Sequence, residues 1–194
     1  MFEMTEDQRA LAEAVSGFCT DLLGPTLEAD DEEELFRKEF IQAMGEQGFC
    51  GVATPEEHGG LGLGYLDYAI VLEEIAKVSA SYAVSIAVTG LPQMILAKFG
   101  APTQQERWLP GLAAGELLGG FALSEPESGS DAGSLKTTAV RDGKDYVLNG
   151  TKFWITHGGY ADVYVCMART GGDGPKGVSA FLLPGDAPGL SFGK

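Results

Sequence analysis

Hydrophobic positions in the first half of the chain recur at helical spacing. Thr5-Glu6-Asp7-Gln8 reads as a capping box, in which the Thr hydroxyl accepts an N–H and the Gln side chain reaches back. Leu11, Val15, Phe18 and Leu22 then fall on one face. A second helix is expected after an acidic run, with Leu35, Ile41 and Met44 among its apolar positions and its end near Gly48. The stretch CGVATPEEHGGLGLG, Cys50 to Gly64, is too rich in Gly for a regular element. Helical pattern resumes over Tyr65 to Val78 and Ser81 to Phe99, and Thr103-Gln104-Gln105-Glu106 reads as a second capping box opening a short helix with Trp108 and Leu109. Ser79 to Ala97 runs 19 residues without a charge. Its interspersed Ser, Thr, Gly, Pro and Gln favour a buried helix over a membrane span.

Beyond about Gly115 the period changes from helix to strand. Leu118 to Ser124, Ser134 to Arg141, Asp145 to Leu148, Lys152 to Thr156, Asp162 to Ala168 and Val178 to Leu183 are short β-rich runs, and Asp142-Gly143 and Asn149-Gly150 read as hairpin turns. Helices first and strands second predict an α+β chain: an all-α domain over 1–117, then an antiparallel, barrel-like β domain over 118–194. The closing stretch, Ala187 to Lys194, reads like a turn entering another strand, so a chain truncated within the β domain is expected.

Charge narrows the partners. Thirteen Lys and Arg against 28 Asp and Glu give a net charge of −15, which disfavours nucleic acid and anionic membranes. The run EADDEEE, Glu28 to Glu34, reads as a solvated approach to a helix. Cys19, Cys50 and Cys166 are odd in number and far apart, which suits a reducing compartment. With only His58 and His157 beside them, no metal site is expected. The N-terminus lacks the basic stretch and apolar core of a signal peptide, so the expected location is cytoplasmic.

Two stretches carry candidate chemistry. In FALSEPESGSDAGS, Phe121 to Ser134, Pro126 ends a strand, Gly129 permits close backbone approach, and Ser124, Ser128 and Ser130 offer hydroxyls to a heterocycle or phosphate. A purely structural loop accounts for the same composition. In TKFWITHGG, Thr151 to Gly159, a strand would put Trp154 and Thr156 on one side, pairing an aromatic surface with a hydroxyl donor. A core Trp with a Thr at a strand edge is the alternative.

Together these stretches resemble the acyl-CoA dehydrogenase family. Ala122-Leu123-Ser124-Glu125, Ser128-Gly129-Ser130-Asp131 and Ser134 satisfy the fixed positions of its central-domain signature. Trp154-Ile155-Thr156 with His157-Gly158-Gly159 matches its second flavin segment, with His157 where Asn is usual. Thr54-Pro55-Glu56-Glu57-His58-Gly59-Gly60 is similar to the family's P-E-x-x-G-G turn, and Tyr82 to Gly115 to its fourth and fifth helices.

The resemblance implies FAD bound at the junction of a helical and a β domain, contacted by Phe121, Leu123, Ser124, Trp154, Ile155 and Thr156. It places Gly129 and Ser130 along the acyl-CoA entrance, and Ala87 and Leu91 in the acyl pocket wall. Donors near the flavin N1 and C2 carbonyl would stabilise charge that develops on reduction. The implied reaction is α,β-dehydrogenation of a fatty acyl-CoA, with electron-transfer flavoprotein as acceptor and a homo-oligomeric intact protein. The catalytic base is implied to be a Glu of a C-terminal four-helix domain beyond this chain, while Glu125 and Asp131 read as loop-stabilising residues. An acyl-CoA oxidase, a carrier-protein-linked dehydrogenase or a flavin monooxygenase of the same fold, and a non-catalytic binding or assembly module, are the alternatives.

Overall fold

The computed structural model describes residues 3–193, which divide into two compact units meeting between Leu117 and Leu118. The first is helical: α1 (Glu6–Leu23), α2 (Leu27–Glu32), α3 (Lys38–Glu46), α4 (Tyr65–Val78), α5 (Ala80–Phe99) and α6 (Pro102–Ala113). Thr5 and Gln8 form the expected reciprocal cap on α1, and Gln8 Nε2 also donates to Asp67 Oδ1 at 2.9 Å, tying α1 to α4. The predicted face of α1 is turned inward, with Val15, Cys19 and Leu23 fully buried.

Three helical expectations need correction. The acidic run is solvated at residues 28 and 31–34, as expected, but its first part is itself helical, in α2, and Asp30 is buried, accepting Arg37 Nε and Nη2 at 2.7 Å each and Thr26 Oγ1 at 2.8 Å. Because Arg37 is drawn back into that pair, α3 begins only at Lys38 and Leu35 lies exposed outside it. The cap of α6 is two residues earlier than predicted. Pro102 opens the helix, where its missing N–H is no loss, and Gln104 Oε1 accepts the Ala101 amide at 2.9 Å.

Buried polar groups fasten the Gly-rich stretch between α3 and α4 to the helices. Gln93 of α5, 2% exposed, accepts from Thr54 Oγ1 at 2.5 Å and donates to the Cys50 carbonyl at 3.0 Å and the Thr89 and Leu112 carbonyls at 3.4 Å. Gly90 lets the Tyr68 hydroxyl reach the Ile86 carbonyl at 3.1 Å; a β-carbon there would collide with the phenol. By length and composition α5 could cross a membrane, and half of its most apolar window is buried within the fold.

The second unit is one sheet of β1 (Gly119–Ala122), β2 (Thr138–Asp142), β3 (Asp145–Asn149), β4 (Val163–Arg169) and β5 (Val178–Pro184). The expected all-antiparallel arrangement is corrected to a mixed one. β2 pairs β3, and β4 pairs β5, antiparallel, whereas β1 runs parallel to β4 from Gly119↔Val163 to Ala122↔Cys166, and β2 meets β4 in parallel at Thr138↔Arg169. β4 is the hub, and its near-continuous apolar run VYVCMA is what a strand with neighbours on both sides requires. Gly143, at φ +61°, turns the β2/β3 hairpin as predicted. Asn149-Gly150 does not make a second hairpin. Gly150 is small because Thr137 packs against its backbone, leaving no space for a β-carbon.

Candidate functional site

β1 delivers the chain into the Ser- and Gly-rich loop, which is fixed at both ends. The amides of Glu125 and Ser128 exchange hydrogen bonds with each other's carbonyls at 2.7 and 3.2 Å, folding Pro126 and Glu127 out as an exposed tip. The Ser128 hydroxyl donates to the Asp131 carbonyl at 2.7 Å, and Ser134 donates to the Asp131 carboxylate. At the far end Arg169 donates to the carbonyls of Gly133, Leu135, Gly172 and Gly174 at 2.6–3.2 Å. Ser128 therefore spends its hydroxyl within the loop and is not the ligand donor its sequence position suggested. Gly129 and Ser130 stay exposed, and a β-carbon on Gly129 would meet nothing within 4 Å, so no packing in the chain demands that glycine.

The stretch expected as a strand over Lys152 to Thr156 is irregular instead. Trp154 has φ +58° and His157 φ +62°, left-handed backbone that is uncommon for a side chain as bulky as indole. Alternation along a strand thus does not align Trp154 with Thr156. A different set of contacts brings the segment to β1: the Phe153 amide donates to the Ser124 carbonyl at 2.8 Å, and Lys152 Nζ donates to the Leu123 carbonyl at 2.9 Å and Glu125 Oε1 at 2.7 Å. Further along, His157 Nδ1 is 2.9 Å from the Gly119 carbonyl, and the Tyr164 hydroxyl donates to the His157 carbonyl at 2.7 Å while accepting the Gly159 amide at 3.1 Å. The two segments predicted from sequence are therefore joined side by side at one end of β1.

What this junction presents outward is specific. The Trp154 ring is 86% exposed, touched edge-on by Phe153 at a centroid distance of 5.0 Å. Among the described residues, no group of the chain accepts from the amides of Trp154, Ile155 and Thr156 or from the hydroxyls of Ser124, Ser130 and Thr156. Phe121 and Leu123 are half-buried beside them. A broad aromatic face next to uncommitted donors is the complement of a flat heterocycle with acceptors on its edge. FAD fits this donor set.

Glu125 is not poised as a proton acceptor. Burial alone would push the Glu125 carboxyl up, but hydrogen bonds from Lys152, Thr137 and the Lys136 amide outweigh it and hold the group at about 2. A carboxylate so strongly held is a structural anchor, as the sequence reading expected. His157, the residue after Thr156, turns inward. Burial lowers its affinity for protons despite the contact with Gly119, and because that carbonyl can only accept, the neutral ring carries its proton on Nδ1.

Ala87 and Leu91 belong to the first unit. They lie on a half-buried stripe of α5 with Val88, Met94 and Ile95, opposite the buried face of Tyr82, Ile86, Gln93 and Leu96. Among the described residues, no three His, Cys, Asp or Glu side chains converge to hold a metal ion. Sequence reasoning missed Lys152, the cation that joins the two segments. Its only signal was one charge set in an otherwise uncharged run, 27 residues from its partner.

Residues 5–116 match the family model for the acyl-CoA dehydrogenase N-terminal domain, and residues 120–194 match that for the middle domain. Among curated proteins, the mitochondrial isobutyryl-CoA dehydrogenase of Dictyostelium discoideum is 40% identical over 98% of this chain and 46% of its own length. Among solved structures, a glutaryl-CoA dehydrogenase from Mycobacterium smegmatis in complex with FADH2 superposes with a TM-score of 0.91 at 33% identity, over 97% of this chain and 48% of that one. PigA with FAD and proline superposes at 0.93 with 30% identity, over 100% and 52%. The chain spans about half the length of the curated relatives it matches. With both of its units matched to the corresponding domain models, the chain belongs to the acyl-CoA dehydrogenase family.

Proposed function

We propose that this chain supplies the flavin platform and part of the substrate wall of an FAD-dependent enzyme that dehydrogenates a fatty acyl-CoA between its α and β carbons. The observation that carries the reading is the junction at the end of β1, where the Phe153 amide meets the Ser124 carbonyl and Trp154 stands exposed beside uncommitted donors. Bound FAD supplies the hydride acceptor. Trp154 packs against the flavin ring, Ser124 and Thr156 donate to its polar edge, and Phe121, Leu123 and Ile155 complete the contact. Fixed donors of this kind stabilise charge without reorganising. Gly129 and Ser130 lie along the path of the CoA moiety, and Ala87 and Leu91 face the acyl chain.

Abstraction of the α-proton needs a carboxylate poised to accept it, and Glu125, held at about 2 by its donors, is unsuited. The base is proposed to be a carboxylate other than Glu125, in a part of the protein outside these residues. Electron-transfer flavoprotein is the proposed electron acceptor, and the intact protein is proposed to be a homo-oligomer. We further propose a cytoplasmic location, supported by three free, buried cysteines and the acidic composition; fluorescent tagging of the gene product in its own cell tests this, and enrichment in an organelle would overturn it.

The functional reading is tested with the full-length gene product. Flavin is expected to co-purify, and anaerobic addition of butyryl-CoA or isobutyryl-CoA should bleach its visible absorption. Absence of flavin, or an absorption unchanged by any acyl-CoA, would refute it. The likeness to PigA with FAD and proline favours a second reading, the same platform serving a different substrate. Bleaching by an amino acid but by no acyl-CoA would select it, and peroxide release on reoxidation would identify an oxidase.

A further inference from the structure

We infer that Lys152 is a positioning residue for the cofactor: by bridging Glu125 and the Leu123 carbonyl it locks the two flavin-facing segments together, and this lock sets how tightly and in what orientation the flavin is held. The inference rests on the proposed flavin platform.

The lock has three parts. The Lys152–Glu125 pair is 2.7 Å long and largely shielded from water, with side-chain exposures of 12% and 4%. Glu125 also accepts the amides of Lys136 at 2.6 Å and Thr137 at 3.0 Å, so it fastens its own loop to the approach to β2 before Lys152 adds the third stretch. The ammonium's second bond, to the Leu123 carbonyl, grips the first segment one residue before Ser124. Lys152 thus touches the first segment at Leu123 and Glu125, on either side of Ser124, and is itself two residues before Trp154.

Trp154 has little else to place it. Among the described residues its ring has one aromatic neighbour, the edge of Phe153, and its backbone is left-handed, so the indole's direction follows from where residues 152 and 153 are pinned. Without the ammonium, the segment would keep the Phe153–Ser124 bond and the His157–Gly119 contact, while Glu125 would be a buried carboxylate short of its cation. Breaking such a pair from one side costs far more than its net contribution when intact. Lysine fits this place better than a planar cation, because its ammonium bonds a carbonyl and a carboxylate lying in different directions.

The test uses the full-length gene product with FAD as the probe. Lys152→Met is expected to raise the FAD dissociation constant about tenfold or more and to alter the visible absorption band of the flavin still bound, while Lys152→Arg, which keeps the charge but bonds the two acceptors less well, should fall between Lys152→Met and wild type. Far-UV circular dichroism and thermal melting are followed in parallel. A Lys152→Met protein that melts lower yet binds FAD with wild-type affinity and spectrum would show the pair to be structural only and overturn the inference. Should Lys152→Met not fold, the Lys152→Met/Glu125→Gln double variant, which removes the bridge without leaving a buried unpaired charge, carries the same expectation, and wild-type affinity there overturns it equally. A wild-type protein that binds no FAD would refute the platform itself, an outcome distinct from a wild-type holoenzyme indifferent to residue 152.

Discussion

At the scale of single residues, His157 shows how one side chain can keep a geometry by a different chemistry. Its position calls for left-handed backbone and a donor to the Gly119 carbonyl. Asparagine tolerates that backbone and can donate from its amide. Histidine donates from Nδ1 in either protonation state, but unlike asparagine it can take up a charge that its burial penalises. Because burial lowers its proton affinity in the fold below that of the unfolded chain, protonation favours unfolding: the stability that depends on this residue is full above the ordinary histidine value of 6.5 and is lost as pH falls below it. Glu125 adds a second acid-sensitive step. Its stabilisation, roughly 3 kcal/mol, is complete above the ordinary carboxylate value of 4.5 and disappears as pH falls toward about 2. His157→Asn is therefore expected to flatten the melting-temperature profile as pH falls below the ordinary histidine value of 6.5 and leave the steeper loss below 4.5 in place. Melting curves across that range check both halves of the expectation.

Among the elements, the helices were readable because each carries its own instructions. Caps, a 3.6-residue apolar period and a Gly-rich break are local signals, and they placed α4 and α5 to within a residue. The shifted starts of α3 and α6 have causes outside those patterns: Arg37 is engaged by Asp30 seven residues earlier, and Pro102 takes the first helical position. Lys152 to Thr156 misled for a related reason. Its aromatic and β-branched residues favour a strand, but a strand exists only where a neighbour pairs with it repeatedly, and among the described residues only the Phe153 amide of this stretch is bonded to backbone, at Ser124, so no ladder forms. The segments of the candidate site were thus legible in sequence, whereas the Lys152–Glu125 contact that joins them depends on the fold. Gln93 is another such contact, one amide shared among α5, α6 and the Gly-rich stretch. Gln93→Leu leaves the Thr54 hydroxyl and the Cys50 carbonyl without their partner, and is expected to cost about 3 kcal/mol, measured by urea unfolding. A loss under about 0.5 kcal/mol would show that those groups find other partners.

For the molecule as a whole, charge is the dominant collective term. A net charge of −15 on 194 residues makes every acidic group repel many others in the folded state, where they are held closer than in the unfolded chain. Salt screens that repulsion. Raising NaCl from about 20 to 200 mM is expected to increase the melting temperature by a few degrees. A fall would mean that attractive pairs such as Asp30–Arg37 outweigh the general repulsion.

The parallel pairing of β1 with β4 also bears on how the protein is made. On the ribosome, Gly119 emerges 163 − 119 = 44 residues ahead of Val163, its partner in the ladder. At ~5–20 residues per second, the apolar strand that leads into Ser124 waits unpaired for roughly two to nine seconds. Each hairpin can zip as soon as its own second arm appears, but β1 cannot dock until β4 has been translated. The groove that would receive the cofactor is consequently among the last features to take shape, and a nascent chain stalled before β4 would present a sticky, half-built edge to chaperones.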